Sequence, residues 1–364
     1  MNQRIRISGF FFVFAYLSLG NISRGADAGA DASAGETVAA SDSRFRYEGR
    51  FDRSEPSITV VIWEASRISL DFDGPTLELL FGDSHGECFF DATVDNVTKI
   101  VELRQGHPPV NTTFSDLGPG RHHLTLFKRS EASAGTVRFN GVKLAEGAHA
   151  WEPPSPAYKT SMEFIGDSIA AGACDEDGKN DQWTDHRTHN SAKSYTTLTA
   201  AAFDADFQNL SISGIGIVTG YDAWTEGQIW GRIYADSNSA KADLTQWTPR
   251  IVFVHLGEND GSYPQGHHEP FPTNFAVAYI GFIQNVRAAN PGAEIVLLEG
   301  GMWNGANNTA LLDAWHEAVA KLESSDQKIA HFQFKHWTGN HPRVADHQAM
   351  ADELIAWLKQ QEFM

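Results

Sequence analysis

From about residue 45 to residue 150 the apolar positions repeat with period two. Ile68, Leu70 and Phe72 alternate with Arg67, Ser69, Asp71 and Asp73. Leu77, Leu79 and Phe81 continue the pattern, as do Leu124 with Leu126 and Val137 with Phe139. Successive strand side chains point to opposite faces, so this spacing predicts half-buried strands. Asp73-Gly74-Pro75, Gly118-Pro119-Gly120 and Asn140-Gly141 separate the runs as turns, the last favouring a tight hairpin. No helical pattern interrupts them. Residues 45–152 are therefore expected to form a β-sandwich of jelly-roll type.

Pro153, Pro154 and Pro156 break the chain, and the period changes. Continuous apolar runs at residues 162–165, 207–212, 251–256, 294–298 and 329–334 now alternate with amphipathic stretches. Phe275, Tyr279, Phe282 and Val286 share a helical face. So do Leu311, Trp315, Val319 and Leu322, and then Val344, His347, Ala351, Leu354 and Leu358. Strands buried on both sides, alternating with helices, predict an α/β domain over residues 157–364 with a five-stranded parallel sheet, doubly wound in the flavodoxin-like manner.

The first residues follow another rule. Arg4 and Arg6 precede an apolar stretch at residues 10–19, and small residues fill 25–30. That order predicts a secretory signal peptide over residues 1–28, and hence a secreted or periplasmic protein. The Ala, Gly, Asp and Ser that follow cannot bury much apolar surface, so residues 29–44 are expected to be a disordered tether. No cysteine follows the signal and no run reaches bilayer length, so no membrane anchor is expected. A net charge of −18 would be repelled by nucleic acid and by anionic membrane, whereas neutral polysaccharide is compatible with it. Cys88 and Cys174 make neither a disulfide framework nor a zinc site, and their pairing with each other stays open.

Ligands of a doubly wound sheet bind beyond the carboxyl ends of its strands. The first apolar run ends in Gly166-Asp167-Ser168, and the second in Ser211-Ile212-Ser213-Gly214. The third ends in Leu256-Gly257-Glu258-Asn259-Asp260, and the fifth leads to His341-Pro342. A serine, a glycine, an asparagine and a histidine thus emerge on one edge. Acyl transfer needs these types. A serine hydroxyl attacks only when an imidazole takes its proton, which assigns Ser168 as nucleophile and His341 as base. The oxyanion that forms needs preorganised donors, here the N–H groups of Ser168 and Gly214 and the Asn259 amide. Each motif alone is an ordinary turn or cap; their order along one edge is what points to catalysis.

These four blocks resemble those of the SGNH hydrolases. From about residue 47 the whole chain is similar to carbohydrate-esterase family 2, the two-domain acetylxylan esterases. Gly49-Arg50-Phe51-Asp52, Trp63, Arg67-Ile68, Phe72-Asp73-Gly74, Gly120-Arg121-His122 and Lys128-Arg129-Ser130-Glu131 carry the likeness in the first half. Residues 163–168 and Ser213-Gly214-Ile215-Gly216 carry it in the second. The resemblance implies a carboxylic ester hydrolase without metal or other cofactor, removing acetyl groups from O-acetylated xylan, mannan or their fragments. A lipase or lysophospholipase on the same catalytic fold is the alternative enzyme, and a weakly active glycan-binding protein the alternative class.

Two departures from the family pattern stand out. Glu258 replaces the usual threonine before Asn259, and the acid that usually stands two or three residues before the histidine is replaced by Thr338 and Gly339. His341 is therefore expected to be oriented by a main-chain carbonyl, with Asp346 serving only the last helix. Trp303, beyond the fourth strand, is a candidate for stacking on sugar. His186 and His189 have no third ligand in sequence and read as part of a solvated loop, the alternative being one that shapes the acceptor site; no metal is expected.

Overall fold

The computed structural model describes residues 35–363. The expected signal peptide and the first part of the expected tether lie outside the described residues. The tether expectation fails within the described part. Thr37–Ala39 is a strand, paired antiparallel with Gly135–Leu144 and burying Val38 completely. A polar composition concealed one apolar side chain placed where the sheet could cover it. Arg44 then secures the segment through Glu36, Asp42 and the Ala150 carbonyl at 2.8, 2.7 and 3.3 Å.

Eleven antiparallel strands form one curled sheet. The 18-residue strand Leu77–Val94 joins its halves, pairing first with Gly135–Leu144 and then with Val97–Arg104 and Arg121–Lys128. Gly86 stands at the changeover with φ +67°, and a Cβ there would come within 2.2 Å of the Ala134 carbonyl oxygen. Curled over, the sheet encloses Leu70, Phe72, Phe90, Leu126 and Phe139. The expected alternation is exceeded in Arg67–Asp73, where Arg67, Ser69 and Asp71 are buried as well. The second domain explains Arg67, which pairs with Asp206 at 3.1 Å and donates to the Phe207 carbonyl at 3.3 Å.

The second sheet has five parallel strands in the order Ala205–Ser211, Thr160–Gly166, Ile251–His255, Glu294–Met302 and Ile329–Thr338. In chain order this is 2-1-3-4-5, the doubly wound order of flavodoxin. Helices Phe275–Ala289 and Thr309–Ser325 cover the face bearing Ile165, Val252, Val254 and Leu297. Helices Tyr195–Ala202 and Val344–Leu358 cover the face bearing Phe164, Phe253, Val296 and Leu298. The strand order reverses at Thr160–Gly166, and ligands of doubly wound sheets bind beyond the carboxyl ends of the strands at such a point.

The joint between the domains uses the residues that carried the family likeness. The Trp63 indole donates to the Ile233 carbonyl at 2.8 Å. Buried Arg50 donates to the carbonyls of Trp230 and, at 3.1 Å, Arg232, and lies 3.4 Å from the Glu163 carboxylate. Lys128, fully buried, donates to the carbonyls of Ser130 and Glu131 at 2.7 and 3.0 Å. Arg50→Ala would leave two carbonyls and buried Glu163 without their partner, so it should cost about 3 kcal/mol, read from urea unfolding monitored by tryptophan fluorescence. A loss below about 1 kcal/mol would show that water or rearrangement replaces the guanidinium.

Candidate active site

Ser168 opens the short helix Ser168–Ala171 directly after the strand Thr160–Gly166. Asp167 caps that helix, its Oδ1 accepting the Ile169 N–H at 3.0 Å, and Gly172 ends it with φ +76°. The nucleophile candidate thus sits on a tight strand-to-helix turn, 5 % exposed. His341, beyond the far end of Ile329–Thr338, places Nε2 2.9 Å from Ser168 Oγ. The sequence separates them by 173 positions; the strand order brings them together.

The expected carbonyl behind His341 is replaced by a carboxylate. Asp181 Oδ2 lies 2.7 Å from His341 Nδ1 and also accepts the His341 backbone N–H at 3.2 Å. The tautomer is then fixed, with Nδ1–H donating to Asp181 and Nε2 free to accept from Ser168. Burial pushes the Asp181 carboxyl up, but the hydrogen bonds from His341 and the positive charge of nearby Arg343 hold it well below the usual carboxylate range. Arg343 Nη2 is 2.8 Å from Asp181 Oδ1, close in distance though not aligned as a hydrogen bond. The same side chain donates to the carbonyls of Cys174, Gly178 and His341 at 3.0, 3.0 and 2.9 Å. The Val344 N–H adds a bond to the Asp175 carbonyl at 3.1 Å, and Asn340 one to the Lys179 carbonyl at 3.0 Å. Sequence reasoning missed Asp181 because it stands among Asp175, Glu176, Asp177 and Asp185, with nothing local to single it out. Asp346, as expected, serves its own helix: it accepts the Arg343 N–H at 2.8 Å and pairs with His336 at 2.8 Å.

Gly214 adopts φ +83°, and a Cβ there would lie 3.0 Å from that of Tyr221. Glycine is what this turn admits. Neither its N–H nor that of Ser168 donates to another group among the described residues. Asn259 is already engaged. Its amide donates to the Ile215 carbonyl at 2.8 Å and to Asp167 Oδ2 at 3.2 Å, joining the residue after Gly214 to the residue before Ser168. Glu258, the residue that departs from the family pattern, accepts from the Asn304 amide at 2.9 Å and the Gly305 N–H at 2.8 Å. It therefore anchors the short helix Trp303–Asn307, on which Trp303 remains 40 % exposed.

The loop that follows the nucleophile is more ordered than a solvated one. His189 is buried, with Nε2 3.5 Å from Cys174 Sγ and Nδ1 3.5 Å from Glu131 Oε1. His186 pairs with Glu87 at 3.1 Å. Trp183 stands edge-on to both His341 and His189, with ring centroids 5.0 and 5.2 Å away. Two sets of metal-ligand types have donor atoms within 4.8 Å of one another: Glu131, His186 and His189, and Cys174, Asp181 and His341. In each the carboxylate is committed, Glu131 to Ser213 and Asp181 to His341. Cys88 and Cys174 are both buried free thiols, Cys88 inside the curled sheet, so the open pairing resolves to none. A cavity of about 540 Å³ opens instead beside Arg50, Glu163, Asp206 and Trp247, and none of Ser168, Asp181, Gly214, Asn259 and His341 lines it.

Burial pushes the Asp167 carboxyl up to about 8, aided by Glu258 and Asp260 and opposed by the Ile169 N–H. An unfolded aspartate ionises near 3.9, so below about pH 4 both states hold the proton and the full stability is present. From about pH 4 to about pH 8 the folded protein keeps a proton that the unfolded chain releases, and stability falls as pH rises. Asp167→Asn should therefore flatten the fall of Tm across that window in a thermal-melt series. An unchanged slope would mean that Asp167 is ionised in the fold.

Comparison with known proteins finds matches to both domains. Residues 47–154 match the family model described as Carbohydrate esterase 2 N-terminal, and residues 164–355 match the GDSL-like Lipase/Acylhydrolase family. The Cellulase/esterase CelE of Acetivibrio thermocellus is 31 % identical over 86 % of this chain; the aligned region is 39 % of that longer protein. An Acetylxylan esterase / glucomannan deacetylase of Cellvibrio japonicus is 27 % identical, over 85 % of this chain and 88 % of the relative. Among solved structures, a family two carbohydrate esterase from Clostridium thermocellum in complex with cellohexaose superposes with a TM-score of 0.78. It is 30 % identical, covering 86 % of this chain and 98 % of that one. The chain belongs to carbohydrate esterase family 2, a family of carboxylic ester hydrolases, with a curled antiparallel N-terminal domain on a GDSL-type catalytic domain.

Proposed function

We propose that this chain is a carbohydrate O-deacetylase acting on acetylated xylan, mannan or their oligosaccharides. The observation that carries the reading is the linear contact from Ser168 Oγ through His341 to Asp181, at 2.9 and 2.7 Å, on the switch-point edge of the sheet. Ser168 Oγ attacks the acetyl carbonyl as His341 Nε2 takes its proton. The carbonyl oxygen becomes an oxyanion facing the N–H groups of Ser168 and Gly214. Asn259 joins them by releasing its longer bond to Asp167. The tetrahedral intermediate then collapses: the bond to the sugar oxygen breaks, and His341 returns the proton to it. Water, deprotonated by the same imidazole, then attacks the acetyl-serine; the bond to Ser168 Oγ breaks, His341 returns the proton to that oxygen, and acetate leaves.

The surroundings suit sugar. Trp183, Trp303 and Trp337 are each 40–44 % exposed near this edge, Trp337 lying opposite Gly301 in the strand register. Exposed indole faces beside polar groups are stacking surfaces for pyranose rings. The relative whose structure holds cellohexaose, and the relative named for xylan and glucomannan deacetylation, support a glycan acceptor. Such a substrate is met outside the cytoplasm, in keeping with the expected signal peptide; no helix among the described residues is long and apolar enough to cross a membrane.

Three variants test the mechanism. Ser168→Ala should lower acetate release by on the order of 10⁴–10⁶, and a fluorophosphonate should label Ser168 in the parent protein. Labelling at another serine would overturn the assignment. Asp181→Asn should cost up to about 10⁴ in kcat, since the amide can present its N–H to Nδ1 and favour the wrong tautomer. Asp346→Asn should change kcat by less than about threefold, the scale of a helix-end charge. If Asp346→Asn loses more than Asp181→Asn, with both folded by circular dichroism, the acid has been misassigned.

A further inference from the structure

The loop that carries Gly214 is held at both ends by buried carboxylates. On its far side Asp260, from the catalytic domain, accepts the N–H groups of Ile217, Val218 and Thr219 at 2.8, 2.7 and 3.0 Å. On the Gly214 side the carboxylate comes from the other domain. Glu131, 1 % exposed, accepts the Ser213 N–H through Oε2 and the Ser213 hydroxyl through Oε1, both at 2.7 Å. Glu64, from the same domain, accepts the Ser211 N–H at 2.8 Å. Burial pushes the Glu131 carboxyl up, but neighbouring His189 and the Ser213 donors hold it down, to about 2.

These contacts bear on one peptide plane. The Gly214 N–H belongs to the peptide that links it to Ser213. Glu131 fixes Ser213 at its nitrogen and its hydroxyl. Beyond the plane, the Gly214 carbonyl accepts from Tyr221 at 2.7 Å and Asp222 at 3.2 Å. A glycine at positive φ has little intrinsic preference for one orientation, so the flanking restraints set where its N–H points. Glu131 also reaches the opposite wall through His189, which abuts Cys174 in the segment bearing Asp181.

We propose that Glu131 is a positioning residue for the reaction: from the N-terminal domain it fixes Ser213 so that the Gly214 N–H meets the oxyanion, which makes that domain part of the catalytic apparatus. The proposal rests on the reading of Gly214 as an oxyanion donor. It predicts a loss confined to the chemical step. A misplacement of about 1 Å in such a group costs on the order of 10²-fold.

The test uses the full chain, with kcat expressed per active site titrated by a fluorophosphonate. Glu131→Ala should lower kcat per titrated site by about 10- to 100-fold, with KM within about twofold of the parent value. Affinity for a trifluoromethyl ketone, whose Ser168 adduct carries the oxyanion, should fall in proportion. Glu131→Gln should lose less, because its carbonyl oxygen still accepts the Ser213 N–H. Ser213→Ala, which removes only the hydroxyl contact and spares the fold, should shift the same readouts in the same direction, and its effect should not add to that of Glu131→Gln. A fall in titratable sites or Tm with unchanged kcat per site would show a structural role only and overturn the proposal. So would additive effects. Failure of the deacetylase reading itself looks different: the parent enzyme would then release no acetate or would not be labelled at Ser168.

Discussion

A carboxylate taken out of water must be given hydrogen-bond donors or kept protonated, and this chain meets that constraint again and again at its active edge. Glu64, Glu131, Asp167, Glu258, Asp260 and Glu299 are all buried there or at the adjoining joint. Five of them do the same thing: they accept backbone N–H groups at helix starts, a strand end and loops along this edge. Asp167 holds Ile169, Asp260 holds residues 217–219, Glu258 holds Asn304 and Gly305, Glu131 holds Ser213 and Glu64 holds Ser211. Loops are ordinarily the softest part of a fold because their amides face water. Here they are stiffened by acids that cannot leave without exposing their own desolvation cost.

The same constraint accounts for the joint. Apolar contact exists, since Ile62, Trp63 and Ala132 pack into the core beneath the helices Phe275–Ala289 and Thr309–Ser325. Yet directional bonds across it come from the charged side chains of Arg50, Glu64, Arg67 and Glu131. Each is expensive to bury alone and inexpensive when its partner sits at one fixed place. Such a joint tolerates little sliding. Two domains that only needed to stay attached would be served by an apolar seam; a joint that also holds Ser211 and Ser213 in place benefits from polar partners at fixed distances.

Most of the architecture was legible because burial leaves a periodic trace. Continuous apolar runs gave the five parallel strands, and their carboxyl ends gave Ser168, Gly214, Asn259 and His341. What escaped was not periodic. Thr37–Ala39 needed one valine in a polar stretch to join the sheet. The buried polar positions of Arg67–Asp73 look solvent-facing until the second domain is laid against them. Asn259 reads as a free donor in sequence, whereas its amide already bridges Ile215 and Asp167. His189 reads as a loop histidine and is enclosed by partners from distant segments. Asp181 is the sharpest case, for it meets His341 across 160 positions and looks like any other acid in its neighbourhood.

The origin of that acid changes what holds the site together. Where acid and histidine share one loop, their distance is set locally. Here Asp181 follows Ser168 on the same segment, and His341 arrives from the opposite edge of the sheet, so the histidine must be docked onto a pair already in place. Arg343 bridges the two segments, through the carbonyls of Cys174 and Gly178 and the Asp181 carboxylate. Its cation has a second effect. Charge placed beside Asp181 on the side away from His341 keeps the carboxylate ionised, and it also offsets part of the field that the carboxylate exerts on a developing imidazolium. In the proposed mechanism this weights Asp181 toward fixing the tautomer and ring plane of His341. The polar segment after Ser168, which offers no hydrophobic pattern to read, thus supplies the carboxylate and carbonyls that hold the loop of His341.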